Sequence, residues 1–382
     1  MALIVDKHRP RSLDQLTYHD DLSNRLRSLA QSGDFPHLLL YGPSGAGKKT
    51  RIVCTLKELY GPAVEKIKID SRVFALATSS RKLEFNIVSS LYHLEITPSD
   101  VGNYDRVVIS ELLKEVAQTQ QVDQSAKQRF KVVVINEADG LSRDAQAALR
   151  RTMEKYSGNV RLILVANSTS GIIGPIRSRT LLVRVGAPTE WDIVKVLETS
   201  GKREGWGVSK GFLERVAKES GRNLRRALLM YEAAHAQKYV LSTLLTPIIL
   251  STIYTLARDV ILTSTSETIT ENTPIPPPDW EALLSTIAHS MTVEHTPAQI
   301  LKIRAQLYDL LTHCIPATTI LKTLTWKLMP LVDDALKSDI VKWAAFYEHR
   351  CKTGTKVIFH LEAFVAKFMR VSEEWLMAME VE

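Results

Sequence analysis

Residues 42–50 read GPSGAGKKT. Gly42, Gly47 and Lys48 fit the spacing GxxxxGK[ST], with Gly45 and Ala46 in the variable stretch. In this pattern small residues let the backbone close around phosphates, N–H groups at a helix N-terminus face the anion, and the lysine reaches the β- and γ-phosphates. The last place calls for a Ser or Thr hydroxyl that holds Mg²⁺, and Lys49 stands there instead. Thr50, one position late, either takes over part of the metal contact or leaves a pocket that holds nucleotide without organising Mg²⁺. The chain is built to hold a nucleotide, and other residues must say whether it hydrolyses one.

A second constellation bears on that question. KVVVINEADG places Asn136, Glu137 and Asp139 at the end of an apolar run. A carboxylate there normally supports Mg²⁺, and the next positions the attacking water. Here the first is the neutral Asn136, and only Glu137 remains as the second. Both metal-supporting positions, Lys49 and Asn136, are therefore changed, and any metal held at Thr50 and Asn136 would be weakly held. Asn167, at the end of LILVAN, is placed to meet a γ-phosphate or a water. Arg225, in GRNLRRALLM, is placed to report nucleotide to a neighbouring helical region. Arg179, in PIRSRT, lies in a loop suited to reach outward, and an arginine supplied across an interface stabilises charge on a transferring phosphoryl group. In DAQAALRRTMEK, Arg143, Arg150, Arg151 and Lys155 fall within an arc of roughly 140°, with Leu141, Ala145, Ala148, Leu149 and Met153 opposite. Such a stripe either tracks a phosphate backbone or is a solvated face.

The elements that must position these residues are legible as patterns. HLLLY, VEKIKID, LYHLEIT, KVVVINE, RLILVAN and LLVRV are strand-like runs alternating with helical segments over residues 1–186, which predicts an α/β nucleotide-binding domain on a parallel sheet covered on both faces. Strand, glycine loop and helix follow in the order the motif needs. Over 187–239 the β signals vanish, and PTEWDIVKVLETSGKREG, KGFLERVAKESG and NLRRALLMYEAAHAQ read as three amphipathic helices, the first capped by Thr189. Residues 240–278 read as an insertion followed by a polar, proline-rich linker. Residues 279–382 return to helix.

With 382 residues, 45% hydrophobic and 24% charged, the chain has the make-up of a globular protein of two or three domains. A net charge of +7 permits an anionic partner without demanding one. Cys54, Cys314 and Cys351 lack metal-site spacing and fit a reducing compartment. The uncharged stretch 239–257 has the length of a membrane span, but its Ser and Thr content, Pro247 and the Arg258–Asp259 pair argue against one, so no membrane partner is expected.

Together these segments resemble the small subunits of replication factor C, the eukaryotic clamp loader. VDKHRP is similar to the family's WVEKYRP box, and GPSGAGKKT, NEAD, DAQAALRRTME, NST, IRSR and NLRRALL occur in the family's order. The resemblance covers the chain apart from roughly 240–270. It implies a P-loop AAA+ ATPase domain with a helical lid and an all-α C-terminal collar. It also implies a nuclear location, a hetero-pentamer with the other replication factor C subunits, and ATP-dependent placement of the PCNA sliding clamp on primer–template DNA. By the same resemblance Val5, Arg9 and Pro10 would flank the adenine, and Gly45 to Thr50 would hold the phosphates of ATP or ADP. Asn167 and Arg225 would be the two sensors of the γ-phosphate. Arg179 would be the finger that enters a neighbour's site. Arg106 would open the helix that meets DNA, with Arg150 and Arg151 beside it; Leu112 replaces the family's second basic residue there. The metal-position changes imply little or no hydrolysis at this chain's own site. An autonomous AAA+ ATPase or initiator-type DNA remodeller is a different reading that would need a working metal site, and a scaffold binding no nucleotide is a third.

Overall fold

The computed structural model describes residues 3–75, 82–98, 104–118, 130–237, 269–354 and 356–381. It divides into two compact units, Met1–Ile275 and Pro276–Glu382. The uncharged stretch 239–257 and most of the proposed insertion lie outside the described residues.

The first unit carries a seven-stranded sheet: β1 (Leu38–Tyr41), β2 (Lys68–Ala75), β3 (Lys82–Ser89), β4 (His93–Ile96), β5 (Lys131–Ile135), β6 (Val160–Ala166) and β7 (Leu181–Arg184), in the order β2-β3-β4-β5-β6-β1-β7. The short apolar runs form strands because both faces are buried, and successive side chains part to opposite sides. Leu39, Val133, Ile135, Leu162 and Leu164 enter one core, while Leu38, Leu40, Val132, Val134, Ile163 and Val165 enter the other. Helices α1 (Asp20–Gln31) and α2 (Lys48–Tyr60) close the second core through Leu26, Ile52, Leu56 and Leu59. Helices α3 (Asp105–Gln118) and α4 (Arg143–Lys155) close the first through Val108, Leu112, Leu149 and Met153. Each such Leu or Ile, fully buried, contributes about 1.5–3 kcal/mol.

The sheet is parallel from β4 to β7 in spatial order, as the alternation of strand and helix predicts. It is not parallel throughout: β2 and β3 form an antiparallel hairpin, and β3 pairs antiparallel with β4. The run VEKIKID is also displaced, since Pro62–Glu65 is a 3₁₀ turn and the strand starts at Lys68. The hairpin escapes a search for continuous apolar runs because it is an edge element with one face in water. Phe85 and Ile87 are buried with exposed Asn86 between them, which is the period-two signal such strands carry.

After β7 come α5 (Glu190–Glu204), α6 (Lys210–Glu219) and α7 (224–237), packed through Ile193, Leu197, Phe212, Val216 and Tyr231. Thr189 starts α5 through a capping box, in which Asp192 N–H donates to Thr189 Oγ1 at 3.1 Å and Thr189 N–H to Asp192 Oδ2 at 2.9 Å. Residues 269–275, read from sequence as linker, add to this domain instead. Ile269 is 1% exposed and bridges Val208, and Arg215 donates to the carbonyls of Glu271 and Thr273. Polar composition hid two isoleucines, Ile269 and Ile275, that the lid core takes up.

The second unit contains α8 (Asp279–Val293), α9 (Pro297–Thr312), α10 (Ala317–Leu328), α11 (Asp334–Thr353) and α12 (Val357–Val381). Leu284, Ile287, Met291, Leu324, Phe364 and Phe368 form its core. Among the described residues no helix is long and apolar enough to cross a membrane.

One histidine couples this fold to pH. His37 precedes β1, and its Nδ1 accepts from Leu162 N–H at 3.0 Å. Burial first, and the nearby Arg161 charge second, lower its pKa from 6.5 to about 4. The folded state holds His37 neutral while the unfolded chain protonates it near 6.5. The stability is thus full above that value and is lost as pH falls toward about 4, by up to ~3 kcal/mol for this group. Urea denaturation is expected to show this loss in the wild type and a shallower one in His37→Gln, whose carbonyl keeps an acceptor for Leu162. Some slope should remain because burial lowers the pKa of His93 as well.

Candidate functional site

In a parallel sheet the carboxyl ends of the strands open into one crevice, and here four of them deliver polar residues to it. β1 runs straight into Gly42, whose N–H donates to Ala166 O at the end of β6 (3.3 Å). Gly45 and Gly47 hold φ of +74° and +84°, in the left-handed region. A Cβ on Gly45 would stand 1.8 Å from Asn223 Oδ1, and one on Gly47 2.3 Å from the Tyr18 hydroxyl, so beyond the backbone strain a side chain at either place would have to displace Asn223 or Tyr18. Gly47 caps α2, leaving the first N–H groups of that helix aimed into the crevice.

Lys48 opens α2 with its Nζ donating to Gly42 O at 2.6 Å, Pro43 O at 3.0 Å and Asn167 Oδ1 at 2.9 Å. Burial holds its ammonium below the usual lysine range; Asp139 opposes that shift and Arg225 adds to it. Asp139 in turn accepts from Asn167 N–H at 3.0 Å and Ser168 N–H at 3.4 Å, which fixes Asn167 against Lys48. Glu137 is exposed and sits at φ +50°, a left-handed conformation uncommon for a side-chain-bearing residue.

The metal corner is arranged differently from a magnesium site. Asn136 donates from Nδ2 to Glu95 Oε1 at 2.7 Å and, more loosely, to Thr97 Oγ1 at 3.4 Å. Lys49 Nζ pairs with the same Glu95 carboxylate, which is only 13% exposed. Mg²⁺ requires near-octahedral oxygens with a free carboxylate among them. Asn136 is neutral, and the Glu95 carboxylate is engaged by an ammonium and an amide, so neither offers a free carboxylate. These residues do not fit Mg²⁺.

A cavity lies between the glycine loop, the N-terminal segment and the helical domain. It brings Val5, Arg9 and Pro10 opposite Gly45, Gly47, Thr50 and Arg225. The segment is latched at both ends. Ile4 N–H donates to Glu232 of α7 at 3.2 Å, while Lys7 (2.7 Å) and His8 both engage Glu204 of α5. Ala46 is buried, and its carbonyl accepts from the Tyr18 hydroxyl at 3.1 Å. Below it, the Arg51 guanidinium lies 4.5 Å over the Tyr18 ring and donates to Tyr18 O at 2.7 Å. Asn223 caps α7 by accepting from Arg226 N–H at 3.1 Å while resting on Gly45. The cap of α7 thus sits directly against the glycine loop.

Arg179 is not among the residues of this cavity. It follows a short helical turn, Gly174–Arg177, and donates to Pro175 O at 2.9 Å. Its second nitrogen pairs with Glu154 at 2.7 Å, and Arg150 pairs with the same carboxylate at 3.2 Å. The hydrogen bond from Arg150, with Arg179 beside it, holds the Glu154 carboxyl below its usual range. Arg150, read from sequence as one of a uniform stripe, thus shares a cluster with Arg179. Arg143, Arg151 and Lys155 are exposed on α4, as is Arg106 near the start of α3. Asp105 ties those two helix starts together by accepting from Ser142 N–H at 2.7 Å and Ser142 Oγ at 2.9 Å.

Sequence reasoning missed Glu95, Tyr18, Asn223 and Glu154. Asn223 carried a readable signal, an Asn directly before a helical run. Glu154 carried part of one, an acid four residues after Arg150 on the same helix, while Glu95 and Tyr18 carried none, because their partners lie far away along the chain.

Comparison with known proteins gives three family matches: replication factor C subunit 3, C-terminal domain, over 280–376; the RCF1/5-like AAA+ ATPase lid domain over 195–236; and DNA polymerase III, delta subunit, over 18–189. The chain is 71% identical to replication factor C subunit 5 of Neurospora crassa, with 100% of both chains covered. It is 52% identical to replication factor C subunit 5 of Schizosaccharomyces pombe, covering 99% of each, and 48% identical to replication factor C subunit 3 of Homo sapiens, covering 98% of each.

Proposed function

We propose a divided role for this chain, which belongs to the replication factor C family: it is a clamp-loader subunit that grips ATP or ADP with little or no hydrolysis and completes the active site of a neighbour with Arg179. The observation that carries this is the separation of two basic groups. Lys48 bonds the glycine-loop carbonyls and Asn167, next to a metal corner where Lys49 and Asn136 both engage Glu95, whereas Arg179 is held by Glu154 and the Pro175 carbonyl.

In this reading Val5, Arg9 and Pro10 flank the base, the N–H groups of Gly45 to Thr50 and Lys48 hold the phosphates, and Asn167 and Arg225 respond to the γ-phosphate. Bound nucleotide supplies a polyanion joining the glycine loop to Arg225, and the Gly45–Asn223 contact passes its presence to the lid. Glu137 stands beside the neutral Asn136 instead of a metal-supporting carboxylate, so in this reading it contributes little to turnover. Residues 279–382 form the collar of a hetero-pentamer with the other replication factor C subunits. Arg106 and Arg151, with Arg150 partly committed to Glu154, face primer–template DNA in the nucleus while the ring places the PCNA clamp.

The test is reconstitution of the complex with this chain. Glu137→Gln is expected to leave ATP turnover of the assembly within about twofold, since a charge that meets no metal contributes little. Native mass spectrometry of the same complex is expected to show nucleotide retained on this chain. Loss of most turnover in Glu137→Gln, or Mg²⁺-dependent turnover by the isolated chain, would instead favour an autonomous ATPase.

A further inference from the structure

The two departures from the phosphate-loop pattern meet in space, and a third residue joins them. Lys49 lies in the first turn of α2, Asn136 just after β5, and Glu95 on β4, which pairs with β5. Glu95 Oε1 receives both the Lys49 ammonium and, at 2.7 Å, the Asn136 amide. Each substitution makes sense of the other. An aspartate at 136 would set a second carboxylate against Glu95, and like charges at that range cannot both stay ionised. An asparagine donates instead. A threonine at 49 would leave Glu95, mostly buried, without a countercharge.

The charge count points the same way. In a complete motif the aspartate and the dication together leave one positive charge beside the hydroxyl. Here neutral Asn136 and cationic Lys49 sum to the same single charge with no ion present, before the Glu95 carboxylate that pairs with Lys49 is counted. The ammonium is also tethered, so no free cation has to be captured when the nucleotide arrives.

We infer that Lys49 is a built-in cation standing in for Mg²⁺, fixed by Glu95 and Asn136, and that this pocket binds nucleoside diphosphate or triphosphate independently of divalent metal. The inference rests on the nucleotide-binding reading above and goes beyond it by assigning the countercharge. It also accounts for a grip without turnover. An ammonium on a side chain can neutralise phosphate oxygens, but it cannot carry and orient a hydrolytic water as a metal's coordination sphere does.

The test uses the full-length chain and a fluorescent ADP, titrated in Mg²⁺ and in EDTA. The wild type is expected to bind with affinities within about twofold in the two buffers, because its countercharge is covalently part of the chain. Lys49→Met, which keeps the apolar stem, should lose about tenfold or more in EDTA, the scale of one charge-assisted contact. Lys49→Thr should bind poorly in EDTA and recover in Mg²⁺. Circular dichroism on each variant separates loss of binding from loss of fold. A wild-type affinity that collapses in EDTA, or a Lys49→Met chain that binds as tightly there as the wild type, overturns the tethered cation and leaves the nucleotide pocket standing. No binding by the folded wild type in either buffer overturns the pocket and the inference together.

Discussion

Arg179→Ala, assembled with the other subunits, is expected to lower ATP turnover at the adjacent site by ~10³-fold or more, the range seen when an arginine is withdrawn from a transferring phosphoryl group. The nucleotide affinity of this chain itself should stay within about twofold, because Arg179 is outside its cavity. The geometry gives a sharper form of the experiment. Arg179 is 35% exposed, and Glu154 and the Pro175 carbonyl restrain its guanidinium. A long side chain so held loses less entropy on engaging a phosphate than a free one. Glu154→Gln should therefore reduce turnover of the assembly by a smaller factor, about tenfold, by releasing Arg179 rather than removing it. In an Arg179→Ala background the Glu154 change should add nothing, since residues acting as one unit are not additive. Arg179→Lys should rescue poorly, for a lysine lacks the planar fork. Steady-state ATPase with clamp and DNA present reads all four, and full additivity of the two changes would sink the coupling.

Lys48→Ala is the second large effect. Its ammonium donates to two loop carbonyls and Asn167, and in the proposed grip it would exchange these for phosphate oxygens. A hydrogen bond to a charged group is worth about 1.5–3 kcal/mol, so affinity for ADP should fall by about a hundredfold. The fold should survive, because the residue is a partly buried member of the loop and not of either core. The pH profile provides a signature. Burial lowers the Lys48 pKa, and only the protonated form attracts phosphate. Affinity is therefore present at neutral pH and lost as pH rises through the lowered value, earlier than an ordinary lysine would lose it. Isothermal titration across pH 7 to 10 checks this, and an alkaline limb that persists unchanged in Lys48→Ala would assign it elsewhere.

How much could be read without coordinates follows from how local each feature is. The phosphate loop, the cap at Thr189 and the apolar runs of β1, β5 and β6 are written in contiguous residues, and they stand where the sequence places them. The β2–β3 hairpin failed the same search because half of it faces water, so its apolar content is diluted. Residues 269–275 were misread for the opposite reason: a polar segment carries two isoleucines whose burial depends on a core built earlier in the chain. Glu95 is the clearest loss. On its own strand it is one acid among apolar neighbours, and nothing nearby marks it.

Sequence alone marked a nucleotide-type phosphate loop and the alteration of its metal positions, since those statements need only residue type and spacing. It could not say what the altered residues do. Lys49 reads as a defect until the pairing of β4 with β5 sets Glu95 beside Asn136, which is 41 residues away along the chain. Arg179 reads as a surface residue until α4 brings Glu154 to it. Electrostatic partnership depends on distance through space, and only the tertiary structure sets that distance.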